Sequence, residues 1–167
     1  MTDLPLLISA LSPADLPQIE RLTERAFGPG RFARTAYRLR EGILPDFSLS
    51  FAAHVGTMLV GANFMTRVHC GTSEGLLLGP LTVEPAFRSR GIGRALTTRS
   101  LDAAGSAGHA LVILVGDEPY YRRFGFKHVP YGQLTLPGPV DPARLLYCEL
   151  KPNSFARAQG QVTRCAQ

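Results

Sequence analysis

The residues best suited to chemistry lie between Leu81 and Ala95, where Leu81-Thr82-Val83-Glu84-Pro85 is followed by Arg88-Ser89-Arg90-Gly91-Ile92-Gly93-Arg94. An apolar strand ends at Val83, a short connection follows, and Arg88-x-x-Gly91-x-Gly93 opens a helix. The first turn of a helix presents backbone N–H groups without acceptors and the positive end of its dipole, so it attracts anions. Glycines remove the Cβ atoms that would hold a phosphate away from those amides. Arg88, Arg90 and Arg94 add charge, and together these groups match a diphosphate. Three readings compete. The pattern can be a glycine-rich structural turn. A Rossmann site needs Gly-x-Gly-x-x-Gly in the first βαβ unit, whereas Leu96 stands at the third position and the loop comes after three strands. A P-loop needs Gly-Lys-Ser/Thr, which is absent.

About thirty residues on, Tyr120-Tyr121-Arg122-Arg123-Phe124-Gly125-Phe126 forms a second landmark, separated from the first by the apolar run Ala110 to Val115. In this order and spacing, the two stretches resemble the GNAT superfamily of N-acetyltransferases. The signature of that family is Gln/Arg-x-x-Gly-x-Gly/Ala followed by an aromatic and Tyr-x-x-x-Gly-Phe. The resemblance is strongest from Leu76 to Phe126 and covers the remainder by element order.

The resemblance implies an α/β fold with a mixed, mostly antiparallel sheet, helices on both faces, and a splay between the fourth and fifth strands. It implies acetyl-CoA as cosubstrate and no metal. The pyrophosphate would rest on Arg88, Ser89, Arg90, Gly91, Ile92, Gly93 and Arg94. Leu81, Thr82 and Val83 would flank the pantetheine arm, with the Leu81 and Val83 backbones bonding it. Gly79-Pro80 is either the cause of the splay or an ordinary edge bulge.

Transfer needs a neutral amine and a proton for the departing thiolate. A thiol titrates near pH ~8.5 and a tyrosine near ~10, so a tyrosine at the sulfur can act as general acid. Tyr-x-x-x-Gly-Phe assigns that role to Tyr121; otherwise Tyr121 is a buried aromatic whose hydroxyl finds a partner. Tyr120 is expected to pack. Many relatives carry a glutamate midway along the fourth strand, but Leu76-Leu77-Leu78 stands here, leaving Glu84, Glu74, His69 and His54 as candidate bases. Gly116-Asp117 replaces the family's frequent asparagine after the fifth strand. The acceptor is a small-molecule or peptide amine, and Arg31, Arg34, Tyr37 and Arg38 could face it or form a solvated basic helix face. A non-catalytic acyl-CoA sensor is the alternative.

The elements that must position these groups follow from period and punctuation. Ser12-Pro13-Ala14-Asp15 starts a helix carrying Leu16, Ile19, Leu22 and Ala26 on one face, closed by Gly28-Pro29-Gly30. A second helix is expected over Phe32 to Arg40. Ser48 to Val55 and Met58 to Val68 read as strands joined at Gly56-Thr57, with Gly75 to Val83 as another. A helix starts near Gly91, a buried strand covers Ala110 to Val115, a short helix covers Asp117 to Phe124, and strand returns to Leu145–Leu150.

The chain has 167 residues, 45% of them apolar, which matches one domain over 1–167. No run approaches the ~20 apolar residues of a membrane span, and the N-terminus has no secretory pattern. Cys70, Cys148 and Cys165 form no Cys-x-x-Cys pair, which fits a reducing cytoplasm. The net charge of +5 fits either a solvated basic surface that aids solubility or an anionic ligand. Nucleic acid is disfavoured as a partner, because basic runs interleaved with aromatics are missing. A homodimer is left open by family analogy.

Overall fold

Near-continuous apolar runs such as Leu76-Leu77-Leu78 and Leu111–Val115 give the central strands two buried faces, and helices cover both. The computed structural model describes residues 5–28 and 35–165. In chain order the elements are β1 (Leu6–Ala10), α1 (Leu16–Phe27), α2 (Thr35–Arg40), β2 (Phe51–Val55), β3 (Met58–Cys70), β4 (Ser73–Val83), α3 (Ile92–Ser106), β5 (Leu111–Val115), α4 (Glu118–Tyr121), β6 (Lys127–His128), β7 (Leu134–Thr135), β8 (Leu145–Glu149) and β9 (Gly160–Arg164). The sheet runs β1-β2-β3-β4-β5-β8-β6, antiparallel throughout except for β4 and β5. β9 pairs antiparallel with the end of β3, at Val68–Cys70, and parallel with β7. This is the mixed, mostly antiparallel sheet the sequence implied.

Ile19 and Leu22 of α1 pack on Ala52, Leu59 and Ala62, and Leu39 of α2 packs beside Val68, Leu77 and Ile113 on the same side. On the opposite side Ile92 and Leu96 of α3 meet Phe51, Ala53 and Val60, while Leu101 and Ala104 meet Met65, Leu76, Val112 and Leu114. Ala52 lies on one face and its neighbours Phe51 and Ala53 on the other, as a period of two requires.

Two expectations need amending. β1 was not anticipated from the sequence; it pairs Leu6 to Val55 through Ala10 to Phe51 and forms the sheet's edge. The second helix was expected from Phe32, but its described part is Thr35–Arg40, and residues 32–34 lie outside the described residues.

Gly79-Pro80 proves to be a bulge. Asn63 pairs with Leu81 and Met65 with Leu78, so two residues of β4 oppose Phe64 alone. The extra residue returns Leu81 to the same face as Leu78. The β4–β5 ladder holds only Leu76↔Val112 and Leu77↔Ile113, so the bulge lies just where the two strands part. The two sequence readings of Gly79-Pro80 thus describe one feature.

Candidate active site

Beyond Val83 the chain makes one 3-10 turn over Pro85–Phe87 and then reverses through two residues with positive φ, Ser89 (64°) and Gly91 (81°). Gly91 caps α3, and the first helical hydrogen bond runs from the Ala95 N–H to the Gly91 carbonyl at 3.0 Å. The amides of Ile92, Gly93 and Arg94 therefore precede any helical acceptor. Arg88, Ser89, Arg90, Gly91 and Arg94 are exposed around this turn. The Arg90 guanidinium stacks 5.0 Å from the Phe87 ring centroid. The loop is thus an open anion site at the end of β4.

The gap between β4 and β5 is lined by backbone. The Glu84 N–H donates to the Val60 carbonyl at 2.8 Å, which turns Glu84, and by alternation Thr82, toward β3. Leu81 and Val83 consequently aim their N–H and C=O groups into the gap. Across it, the Gly116 N–H donates to the Arg144 carbonyl at 2.9 Å, so the backbone of Val115 faces the gap. Thr82 is different. Its backbone serves β3, and its hydroxyl is buried without a hydrogen-bond partner among the described residues.

α4 places two tyrosines at the gap. Tyr121 packs edge-on to Tyr120 with ring centroids 4.9 Å apart and to Phe126 at 5.8 Å. It also lies flat against Gly116, where a Cβ would fall 2.6 Å from Tyr121 Cε2. Burial pushes the Tyr121 phenol well above its ordinary value, Tyr120 and Asp117 push in the same direction, and Arg144 opposes them. The phenol therefore keeps its proton at neutral pH. Tyr120 packs as expected, against Tyr121 and Phe124, but its hydroxyl also reaches the first turn of α3. A Cβ on Gly93 would sit 2.9 Å from it. Burial raises the Tyr120 phenol as well, against the pull of Arg123 and Arg94.

These groups border a cleft of about 1010 Å³. Leu16, Ile19, Thr23 and Phe27 of α1, the segment Ile43–Pro45 and Phe64 wall it on one side of the sheet. Leu81, Tyr120 and Tyr121 border it toward the other, so the cleft passes through the opening between β4 and β5. Pro139–Asp141 and Arg144 complete the rim, where Arg144 Nη1 meets Asp117 Oδ1 at 2.7 Å.

None of the four candidate bases lines this cleft. Glu84 is ion-paired with Arg25 at 2.7 Å, Glu74 lies opposite His69 near the far end of β4, and His54 sits in β2. His69 Nδ1 lies 3.2 Å from Cys165 Sγ. The carboxylates that do line the cleft are Glu20, Asp117 and Asp141. Sequence reasoning noted Asp117 only as a replacement and did not weigh the other two. The Asp141-Pro142 pair was a readable signal, since Asp141 caps a turn by accepting from the Ala143 N–H at 3.0 Å. Tyr37 reaches the cleft, Arg38 is exposed away from it, and Arg31 and Arg34 lie outside the described residues.

Residues 48–128 match the family model described as acetyltransferase (GNAT) domain. The uncharacterized N-acetyltransferase YhbS of Escherichia coli strain K12 is 29% identical over 123 residues, which cover 73% of this chain and 74% of YhbS. The crystal structure of E. coli YhbS in complex with CoA superposes with a TM-score of 0.82 at 24% identity, covering 99% of this chain and 92% of that one. A GNAT family acetyltransferase from Brucella melitensis, solved in complex with acetyl-CoA, is 28% identical with a TM-score of 0.73 and 97% coverage of both chains. Over residues 48–128 in sequence, and in its fold, the chain is similar to GNAT N-acetyltransferases. The segment matching the GNAT model holds the bulge, the gap, the glycine loop and both tyrosines. The α1 wall and the Pro139–Arg144 rim lie outside it.

Proposed function

We propose that this acetyltransferase moves the acetyl group of acetyl-CoA directly onto a primary amine, with both reactants held together in the cleft. The observation that carries this reading is the gap beyond Leu77↔Ile113, edged by the inward-facing backbones of Leu81 and Val83 and ending at the amides of Ile92, Gly93 and Arg94. An extended amide-bearing arm finds strand-like partners there, and a diphosphate finds a helix N-terminus. The residues present therefore fit acetyl-CoA. Arg88, Ser89, Arg90, Gly91, Ile92, Gly93 and Arg94 hold its phosphates, and Leu81 and Val83 flank its arm, whereas Thr82, expected beside them, turns to β3 instead.

Bound acetyl-CoA supplies a thioester whose carbonyl carbon is the electrophile. The backbone facing the gap polarises that carbonyl by hydrogen bonding. The amine, neutral on attack, forms the new C–N bond as the C–S bond breaks. Tyr121 gives its phenolic proton to the departing sulfur, and the surplus ammonium proton returns through solvent in the open cleft to the Tyr121 oxygen. One proton leaves nitrogen and one arrives at sulfur, so the protein ends unchanged. Arg144 lowers the cost of the transient phenolate, while its partner Asp117 raises it.

A panel of polyamines, amino acids, aminoglycosides and peptides with free N-termini, assayed for thiol release from acetyl-CoA, tests the proposal. Amine-dependent release supports it. CoA binding without release from any amine would leave an acyl-CoA sensor, and absence of CoA binding would remove the cosubstrate.

A further inference from the structure

Tyr120 does more than pack. It belongs to α4, which follows β5, yet its hydroxyl lies against Gly93 in the first turn of α3, which follows β4. Its side chain therefore crosses from one side of the gap to the other. A Cβ built on Gly93 would meet the Tyr120 hydroxyl at 2.9 Å, Leu81 Cδ2 at 3.5 Å and Val83 Cγ2 at 3.8 Å. That places the phenol oxygen against Gly93 in the first turn of α3, at a spot the Leu81 and Val83 side chains also border. The ring is held edge-on to Tyr121 and Phe124, with the Arg123 guanidinium 5.0 Å from its centroid and Arg123 Nε donating to the Tyr120 carbonyl at 3.0 Å. A ring fixed on two sides carries a hydroxyl that makes no hydrogen bond among the described residues, while lining the cleft. An O–H donor in that position, next to a helix N-terminus, is matched to an anionic oxygen.

We infer that Tyr120 is a binding residue for the acyl donor, its hydroxyl donating to the phosphate end of acetyl-CoA across the gap while Tyr121 serves the sulfur. This rests on the acetyl-CoA reading and goes beyond it, because the two adjacent phenols divide the donor between them. Gly93 is then a notch for the Tyr120 oxygen. A methyl there must push the hydroxyl aside by several tenths of an ångström, since ordinary contacts begin near ~3.4 Å.

The test compares wild type, Tyr120→Phe, Gly93→Ala and the double variant by calorimetry with CoA and by kinetics with acetyl-CoA and S-acetylpantetheine, which lacks the pyrophosphate. Tyr120→Phe is expected to weaken CoA binding and raise KM for acetyl-CoA by about tenfold, the scale of one charge-assisted hydrogen bond. It should leave kcat and the KM for S-acetylpantetheine within about twofold. Gly93→Ala should weaken CoA similarly, and the double variant should be no weaker than Gly93→Ala alone, because both changes remove the same contact. Equal CoA affinity of wild type and Tyr120→Phe overturns the inference, as does an equal loss toward S-acetylpantetheine or full additivity in the double variant. Failure of wild type to bind CoA overturns the donor assignment instead, so the two failures are distinct.

Discussion

Substituting Gly116 by alanine tests the Tyr121 assignment without touching the phenol itself. Gly116 does not have positive φ, so alanine suits its backbone, and the effect comes from the added methyl. That Cβ would lie 2.6 Å from Tyr121 Cε2 and 3.1 Å from both Tyr121 Cδ2 and Leu114 Cδ1. Carbon atoms in contact settle near ~3.5–4.0 Å, so the Tyr121 ring must retreat by about 1 Å. Leu114 is 1% exposed and offers no room on its side. Overpacking of this kind costs about 1–3 kcal/mol, and in a chain of this size each kcal/mol lowers the melting midpoint by roughly 2–4 °C. A misplacement of ~1 Å in a reacting group costs up to about 100-fold in rate. The glycine loop is untouched, so KM for acetyl-CoA should stay within about threefold while kcat falls by about ten- to 100-fold. Steady-state thiol release with the best amine of the panel, together with a melting curve, reads both quantities. A variant whose midpoint falls while kcat is retained would refute the reasoning, because the phenol would have moved without consequence.

Three further outcomes follow from the same geometry. Tyr121→Phe removes only the hydroxyl and should lower kcat at least about tenfold with CoA affinity unchanged; equal turnover sinks the general-acid role. Saturating acetyl-CoA, at about 100 times Kd, should stabilise the fold by about 2.7 kcal/mol, or roughly 5–10 °C, and a flat melting curve would exclude the donor. Burial alone would raise the Asp46 carboxyl, but hydrogen bonds from Ser48 and Arg67 outweigh it and hold Asp46 below its ordinary value. A depressed folded pKa stabilises above the unfolded value of about 3.9 and is lost as pH falls through the folded one. Asp46→Asn should therefore destabilise at pH 7 and flatten the acid limb, whereas an unchanged acid limb in denaturant titrations would contradict the assignment.

The glycine loop was legible in the sequence because its requirements are local. A strand end, a turn and a helix start must follow one another within about a dozen residues, and each leaves its own residue types. Tyr121 was legible for a similar reason, through its spacing from Gly125-Phe126. β1 was not. Leu6-Leu7-Ile8-Ser9-Ala10 shows no clean alternation, and Leu7 remains 61% exposed; pairing with β2, more than forty residues away, makes it a strand. The reach of Tyr120 was illegible as well. Packing against Tyr121 was predictable from adjacency, but contact with Gly93 depends on the angle at which α4 returns over α3.

The candidate bases show most clearly where sequence reading loses its hold. Glu84, Glu74, His69 and His54 are the right residue types on or beside the right strands, so composition and period alone could not reject them. What rejects them is lateral position. Glu74 and His69 face each other near the hairpin end of β4, below the level at which β5 departs, and Glu84 turns toward α1 to meet Arg25. The bulge at Gly79-Pro80 adds a further break, because it shifts the face of every later β4 residue by one step relative to a simple alternation. The groups that do gather at the opening come from Leu16 to Arg144 and from both faces of the sheet. No local pattern can specify such a set. The donor side is written in one continuous stretch, whereas the opposite wall exists only once α1, Phe64 and the Pro139–Arg144 rim have been brought together. An acceptor amine must therefore be sought by matching molecules to that assembled wall.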